Sequence, residues 1–388
     1  MGDILLKADF VDYVPEHRFG IGAITHAELA NARSTPRVLV ENFLYADVRF
    51  RIAAGGVGKT TLLLYEASRL AVGKHVWGKK SEYPIRTCIV TREDSREILV
   101  ARLREVMRDF SEREIDQALQ NIRIIDVSNE AFRLSKIVRD VVEPHLENVD
   151  DLCNAIKPFK PDWVVFDPVV SFGVGEARVN DAEQGIVEAF RVIRNCLDCC
   201  VEGIHHSGKA NARGKALDQY AGRGGSAMAD GSRMMAVIQP LEAKEWLEQT
   251  GTRLATGESG LVMALPKLSY SAPQKPIFIR RYKFHFSREA ASQATPDQIA
   301  QSNAALVRDF ISAEWLLGRK YSKADIEAHS TKLDLTRNQL RQAIAELTVS
   351  GQMIYHEIKG KSGSHFEPVT VANSNGDTSP KTAILTVA

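Results

Sequence analysis

Ala53-Ala54-Gly55-Gly56-Val57-Gly58-Lys59-Thr60 lies between a strand-like run, Val48 to Ile52, and a helix-forming stretch, Lys59 to Val72. Glycines at 55, 56 and 58 let backbone N–H groups approach an anion closely, and the helix that follows aims its positive end at the same point. Lys59 adds a point charge for the β and γ phosphates of a nucleotide, and Thr60 offers a hydroxyl to a divalent cation. This is the composition of a phosphate-binding P-loop, with Ala53 where the first Gly usually stands. It predicts ATP and Mg²⁺ as ligands, with Ala54, Gly55, Gly56, Val57, Gly58, Lys59, Thr60 and Thr61 around the phosphates.

A cation held by Thr60 needs a second anchor. Trp163-Val164-Val165-Phe166-Asp167, an apolar strand ending in a carboxylate about a hundred residues on, supplies it in the pattern of a Walker B strand. Thr60 and Asp167 are therefore the candidate metal ligands, while Asp162, where that strand begins, is expected to be solvated. Further strands are expected at Thr87 to Thr91, Ile122 to Asp126, Cys200 to Ile204 and Met234 to Ile238. Helices are expected at Arg96 to Arg108 and from about Asp181 to Leu197. Alternating strands and helices imply a mostly parallel sheet covered on both faces, an α/β fold. Leu261 to Leu265 and Ile277 to Phe286 read as later strands, open to an antiparallel arrangement.

In such a sheet the C-terminal strand ends share one edge, and ligands bind there. Pro168 follows Asp167, so a base that polarises an attacking water must come from another strand. Glu93, in Thr91-Arg92-Glu93-Asp94, is the candidate; an ordinary turn carboxylate is the alternative. His205-His206-Ser207-Gly208-Lys209 ends another strand. Neighbours in a strand point to opposite faces, which makes joint metal ligation by the two histidines awkward. One of them is a candidate γ-phosphate sensor, against a purely structural pair. The small-residue segment Gly222 to Arg233 carries Arg223 and Arg233, placed to reach a phosphate in the same subunit or a neighbour's, or else simply part of a surface loop.

The chain has 388 residues, 44% hydrophobic and 26% charged, enough to bury a core over two or three domains. Its 50 basic and 49 acidic residues nearly cancel, so any nucleic-acid surface must be local. Five cysteines, an odd number, suit a reducing compartment, and Cys196, Cys199 and Cys200 read as buried thiols rather than a metal site. Met1 to Phe10 lacks the apolar run of a signal peptide, and no stretch is long and apolar enough to span a membrane. A cytoplasmic location with no membrane partner is expected.

The organisation expected is an irregular and helical arm over 1–35, an ATPase core over 36–286, a linker over 287–302, a winged helix-turn-helix over 303–370 and a disordered tail over 371–388. The C-terminal unit follows from three helical stretches, Ala304 to Leu316, Ser322 to His329 and Thr336 to Ser350, then two short strands flanking a Gly-rich turn. In such a unit Arg337, Asn338 and Arg341 would face outward on the third helix, with Lys359 and Lys361 in the wing. Nine Lys or Arg stand against eight Asp or Glu from Gln301 to Thr370. That balance is poor for a strong DNA grip and leaves protein docking open.

Together these motifs resemble the RepA family of plasmid replicative helicases, hexameric ATPases with a RecA-like core akin to that of DnaB. The likeness rests on Ala54 to Thr60, Glu93-Asp94, Phe166-Asp167-Pro168 through Phe172, His205 to Lys209, and Arg223-Gly224-Gly225-Ser226 with Asp230-Gly231-Ser232-Arg233. It implies Glu93 as the catalytic base, His206 as the sensor and Arg233 as a finger reaching across a subunit interface. His205, Lys209 and Arg223 become sensor or interface candidates. The function implied is an ATP-dependent DNA helicase or translocase of mobile-element replication, working as a homo-oligomeric, hexameric ring on single-stranded DNA. The C-terminal unit would meet origin duplex DNA or a replication initiator. The rivals are an ATPase that loads or remodels a replication complex, and an ATP-sensing winged-helix regulator.

Overall fold

The computed structural model describes residues 22–174, 179–292, 294–358 and 363–369, with the side chains of Val179 and Lys209 outside that description. The start of the expected arm, the tail over 371–388 and the wing residues Lys359 and Lys361 lie outside the described residues.

The central sheet has nine strands. They are β1 Val48–Ala53, β2 Thr87–Thr91, β3 Ile122–Asp126, β4 Trp163–Asp167, β5 Cys200–His206, β6 Met234–Leu241, β7 Glu258–Leu268, β8 Ile277–Tyr282 and β9 His285–Glu289. Their order is β9-β8-β7-β6-β1-β5-β4-β2-β3. From β6 to β3 every pairing is parallel, and β7, β8 and β9 extend the sheet antiparallel. This is an α/β, mostly parallel sheet of RecA-like layout. The expected single strand from Ile277 to Phe286 is instead a tight hairpin, turned at Lys283 with φ 54°.

Residues of β1 alternate between two buried faces. Val48, Phe50 and Ile52 join the apolar layer beneath the helix Val179–Leu197, where Phe50 stacks on Phe190 at 5.4 Å. Arg49 and Arg51 point to the other face and are fully buried. Charges in a core need partners. The Arg51 guanidinium meets Glu66 of the helix Lys59–Ala71 at 2.5 Å and Glu202 of β5 at 2.7 Å, and Arg49 reaches Glu202 at 3.3 Å. Trp163 and Trp77 donate their indole N–H groups to Glu202 and Glu66 at 3.0 and 2.6 Å. The P-loop helix is thus tied to β1 and β5 by an ionic network as well as by Leu62, Leu63 and Leu64.

Asp162 corrects an expectation. It is 9% exposed, not solvated, and its carboxylate accepts from Arg37 at 2.6 Å and from the Arg86 amide at 2.9 Å. Cys199 and Cys200 are buried, whereas Cys196 is exposed.

After β9 come the helices Pro296–Leu316, Lys323–Ala328, Ser330–Leu333 and Arg337–Val349, then the antiparallel strands Met353–His356 and His365–Pro368. Their core, including Val307, Ile311, Ile326, Leu340 and Phe366, is a cluster separate from those of the sheet. The stretch 287–302, expected as linker, is largely structured. It holds the end of β9 and nearly two turns of the first helix, which starts at a Thr295 cap with Gln298 closing the capping box and Pro296 at its first position. Arg253 ties this helix to the sheet by donating to Ser302 Oγ at 2.7 Å.

Candidate functional site

The P-loop leaves the C-terminal end of β1 and enters the helix Lys59–Ala71 through Gly56 and Gly58, at φ 79° and 83°. These left-handed conformations suit glycine and turn the amides inward. The register then sets the site. Ala53 at the end of β1 pairs with His206 of β5, and Thr91 at the end of β2 pairs with Asp167 of β4. Strand ends from different parts of the chain therefore meet at one edge.

Thr60 Oγ1 donates to Asp167 Oδ2 at 2.6 Å. The Lys59 ammonium donates to the Ala54 carbonyl at 3.2 Å and stands 3.2 Å from His206 Nδ1. Burial is the largest influence on Asp167; Glu93 and Asp94 add to it, Thr60 and Lys59 oppose it, and the carboxyl is pushed up to about 6. Burial likewise lowers the Lys59 ammonium, while Asp167 and Glu93 favour its charge. A buried carboxylate pushed toward its neutral form, beside a hydroxyl and near a second carboxylate, suits a divalent cation. Thr60 and Asp167 fit Mg²⁺ on that chemistry.

Glu93 and Asp94 differ in kind. Asp94 is paired with Arg102 at 2.5 and 3.2 Å. Glu93 is exposed and makes no side-chain hydrogen bond among the described residues, yet its charge is felt at Asp167, Lys59 and His206.

The two histidines do face opposite ways. His206 turns toward Lys59, and burial, then the Lys59 charge, holds it below its ordinary 6.5. His205 turns away, with Nε2 donating to the Arg223 carbonyl at 2.6 Å. Burial lowers it too, and its Nδ1 has no partner among the described residues. The Arg223 amide donates to the His206 carbonyl at 2.9 Å, so Arg223 stands at the P-loop edge of its own subunit. Lys209 opens the short helix Lys209–Arg213, its side chain outside the description.

Arg233 lies elsewhere. It precedes β6, whose Met234 pairs with Arg49 and whose Ile238 pairs with Ala53. Five residues of strand put it about 16 Å from the P-loop edge. Arg233 is exposed there and cannot reach the site of its own chain.

In the C-terminal unit Arg337 and Asn338 are exposed at the start of Arg337–Val349. Arg341 is exposed but not free, since Glu327 takes its guanidinium at 2.8 and 3.0 Å.

Sequence reasoning missed Arg281. Its Nη1 donates to the Val57 carbonyl at 3.1 Å, and a Cβ on Gly58 would collide with its guanidinium. A cation in a late strand gives no hint that the hairpin folds back on the P-loop.

Among the described residues no helix is long and apolar enough to cross a membrane. No curated protein matches the chain significantly. Among solved structures, the KaiC-like protein PH0186 from Pyrococcus horikoshii OT3 is 14% identical over 64% of this chain and 93% of its own, with a TM-score of 0.39. The flagellar accessory protein FlaH from Methanocaldococcus jannaschii is 11% identical over 64% and 92%, also at 0.39. At that TM-score neither likeness carries an argument about this chain. A family model described as an AAA domain matches residues 15–212. That match spans just over half the chain and contains the P-loop, Glu93, Asp167 and both histidines; the chain belongs to the AAA domain family of P-loop ATPases.

Proposed function

We propose that this protein is an ATP-dependent DNA translocase or helicase of mobile-element replication, working as a homo-oligomeric ring on single-stranded DNA. The observation that carries the reading is a division of labour across the sheet. Lys59, Thr60, Asp167, Glu93 and His206 gather at one edge, while Arg233 stands at the other. Arg233 cannot serve the site of its own chain and would complete that of a neighbouring subunit.

In the proposed mechanism the P-loop amides and Lys59 hold the ATP phosphates, and Thr60 and Asp167 hold Mg²⁺. When bound there, Mg²⁺ would supply positive charge that offsets the charge of the phosphates. The Glu93 carboxylate accepts the proton of the attacking water, and Asp94 is kept from that role by Arg102. The neighbour's Arg233 stabilises charge on the transferring phosphoryl group. His206, beside Lys59, feels the loss of the γ-phosphate and passes it along β5 to the segment that leads to Arg223. In the ring this segment and its neighbours line a channel that grips single-stranded DNA by its backbone.

The C-terminal helices and hairpin are assigned as a winged helix with Arg337 and Asn338 outward, and with Arg341 after release from Glu327. Their partner is origin duplex DNA or a replication initiator. Strand displacement on a forked duplex with ATP tests the reading. ATP hydrolysis stimulated by single strands, together with displacement, is expected. Stimulated hydrolysis without displacement by any ring form would make the protein a loader or remodeller instead.

A further inference from the structure

We propose that Arg281 is a nucleotide-binding residue, a second cation that the hairpin β8–β9 brings to the phosphate chain alongside Lys59 within the same subunit. This rests on the reading of Ala54 to Thr60 as a nucleotide site and adds a residue from the far end of the domain.

Arg280 and Arg281 are neighbours in β8 and face opposite ways. Arg280 is neutralised by Glu258 at 2.5 Å and Glu289 at 2.7 Å, which anchors the strand from behind. Arg281 has no carboxylate partner among the described residues. It is half-buried, and burial is the one influence on it, lowering its proton affinity. Its guanidinium spends Nε on the Lys283 carbonyl at 3.0 Å and Nη1 on the Val57 carbonyl at 3.1 Å. A guanidinium carries five N–H donors, so donors remain uncommitted beside the loop whose amides are shaped for an anion.

A half-buried cation without a counter-charge is costly, and an arriving phosphate removes that cost. Guanidinium geometry also suits phosphate oxygens, which it can take two at a time. Because β8 is fixed in the sheet and by Arg280, the group is held in place before any ligand arrives. The competing account is that Arg281 merely fastens the hairpin to the Val57 carbonyl. Charge separates the two, since a Gln at this position can still donate to that carbonyl but carries no charge.

The test is calorimetric titration of the full chain with ADP and with ATP in the presence of Mg²⁺, at two salt concentrations. Wild type, Lys59→Ala, Arg281→Gln and Arg281→Lys are compared, each with the melting temperature of the nucleotide-free protein. Arg281→Gln is expected to weaken binding about ten- to a hundredfold, the range for charge-assisted hydrogen bonds, and to flatten the salt dependence. Its melting temperature should stay within about 2 °C of wild type. Arg281→Lys should recover part of the affinity. Wild type binding well with Arg281→Gln within twofold of it would overturn the proposal. So would a joint collapse of melting temperature and affinity that Arg281→Lys repairs together. Wild type that binds neither nucleotide would overturn the nucleotide reading itself, and this proposal with it.

Discussion

Thr60 and Asp167 lie 107 residues apart in sequence and meet in a 2.6 Å hydrogen bond. That bond joins the head of the P-loop helix to the end of β4, and it holds a carboxylate where burial raises its proton affinity to about 6.

Asp167→Asn should therefore separate stability from function. In the unfolded chain Asp167 titrates near its ordinary 3.8, so at pH 7.5 keeping it ionised in the fold costs free energy, about 1–3 kcal/mol for a shift of this size. Asn keeps an acceptor for Thr60 without that cost. The nucleotide-free variant should melt higher than wild type at pH 7.5. The difference should shrink as pH falls through 6 and vanish below about 4, where the acid is neutral in both states. Mg²⁺-dependent ATP hydrolysis should be lost. Scanning calorimetry across pH, with a phosphate-release assay, checks both; a variant less stable than wild type at pH 7.5 counts against the electrostatics described.

Glu93→Gln should lower kcat by about 100- to 10,000-fold, the usual contribution of a positioned base, while ATP affinity changes little. Asp94→Asn should act differently, by loosening Arg102 and the loop after β2. Single-turnover hydrolysis set beside equilibrium ATP binding distinguishes them. Hydrolysis by Glu93→Gln within threefold of wild type would move the base elsewhere.

Arg51→Met should cost about 3–5 kcal/mol, because it leaves Glu66 in the core without a cation and Glu202 with Arg49 alone. Urea titration of the nucleotide-free protein gives the number. A loss below about 1 kcal/mol would mean that the two carboxylates protonate or find water at little cost.

Much of the edge was legible because its logic is local. A strand ending in Asp167, another running into Thr91-Arg92-Glu93-Asp94 and a third running into His205-His206 each show in sequence. A parallel sheet then brings such ends together without further information. Arg49 and Arg51 were not legible in this way. Alternating charge in a strand ordinarily means a wet face, and only the distant Glu66 and Glu202 make it dry. Arg281 escaped for a similar reason, since its neighbour across the hairpin is Phe286 but its partner, Val57, is more than two hundred residues away. The start of the first C-terminal helix was readable: Thr295-Pro296-Asp297-Gln298 is a capping box with Pro at the first helical position, although Ala and Ser around it suggested a linker.

The central claim is that a site built on Lys59, Asp167 and Glu93 is completed by Arg233 of another subunit. Mixing two inactive variants, Glu93→Gln and Arg233→Ala, in varied ratio and assaying ATP hydrolysis with single-stranded DNA tests it directly. Where an Arg233→Ala subunit keeps its own Glu93 and faces a Glu93→Gln neighbour that keeps Arg233, a complete site forms. The account predicts that activity absent from either variant alone returns on mixing and peaks near equal proportions. Full activity of Arg233→Ala by itself, or no recovery in mixtures shown by native mass to contain both subunits in one assembly, would contradict it.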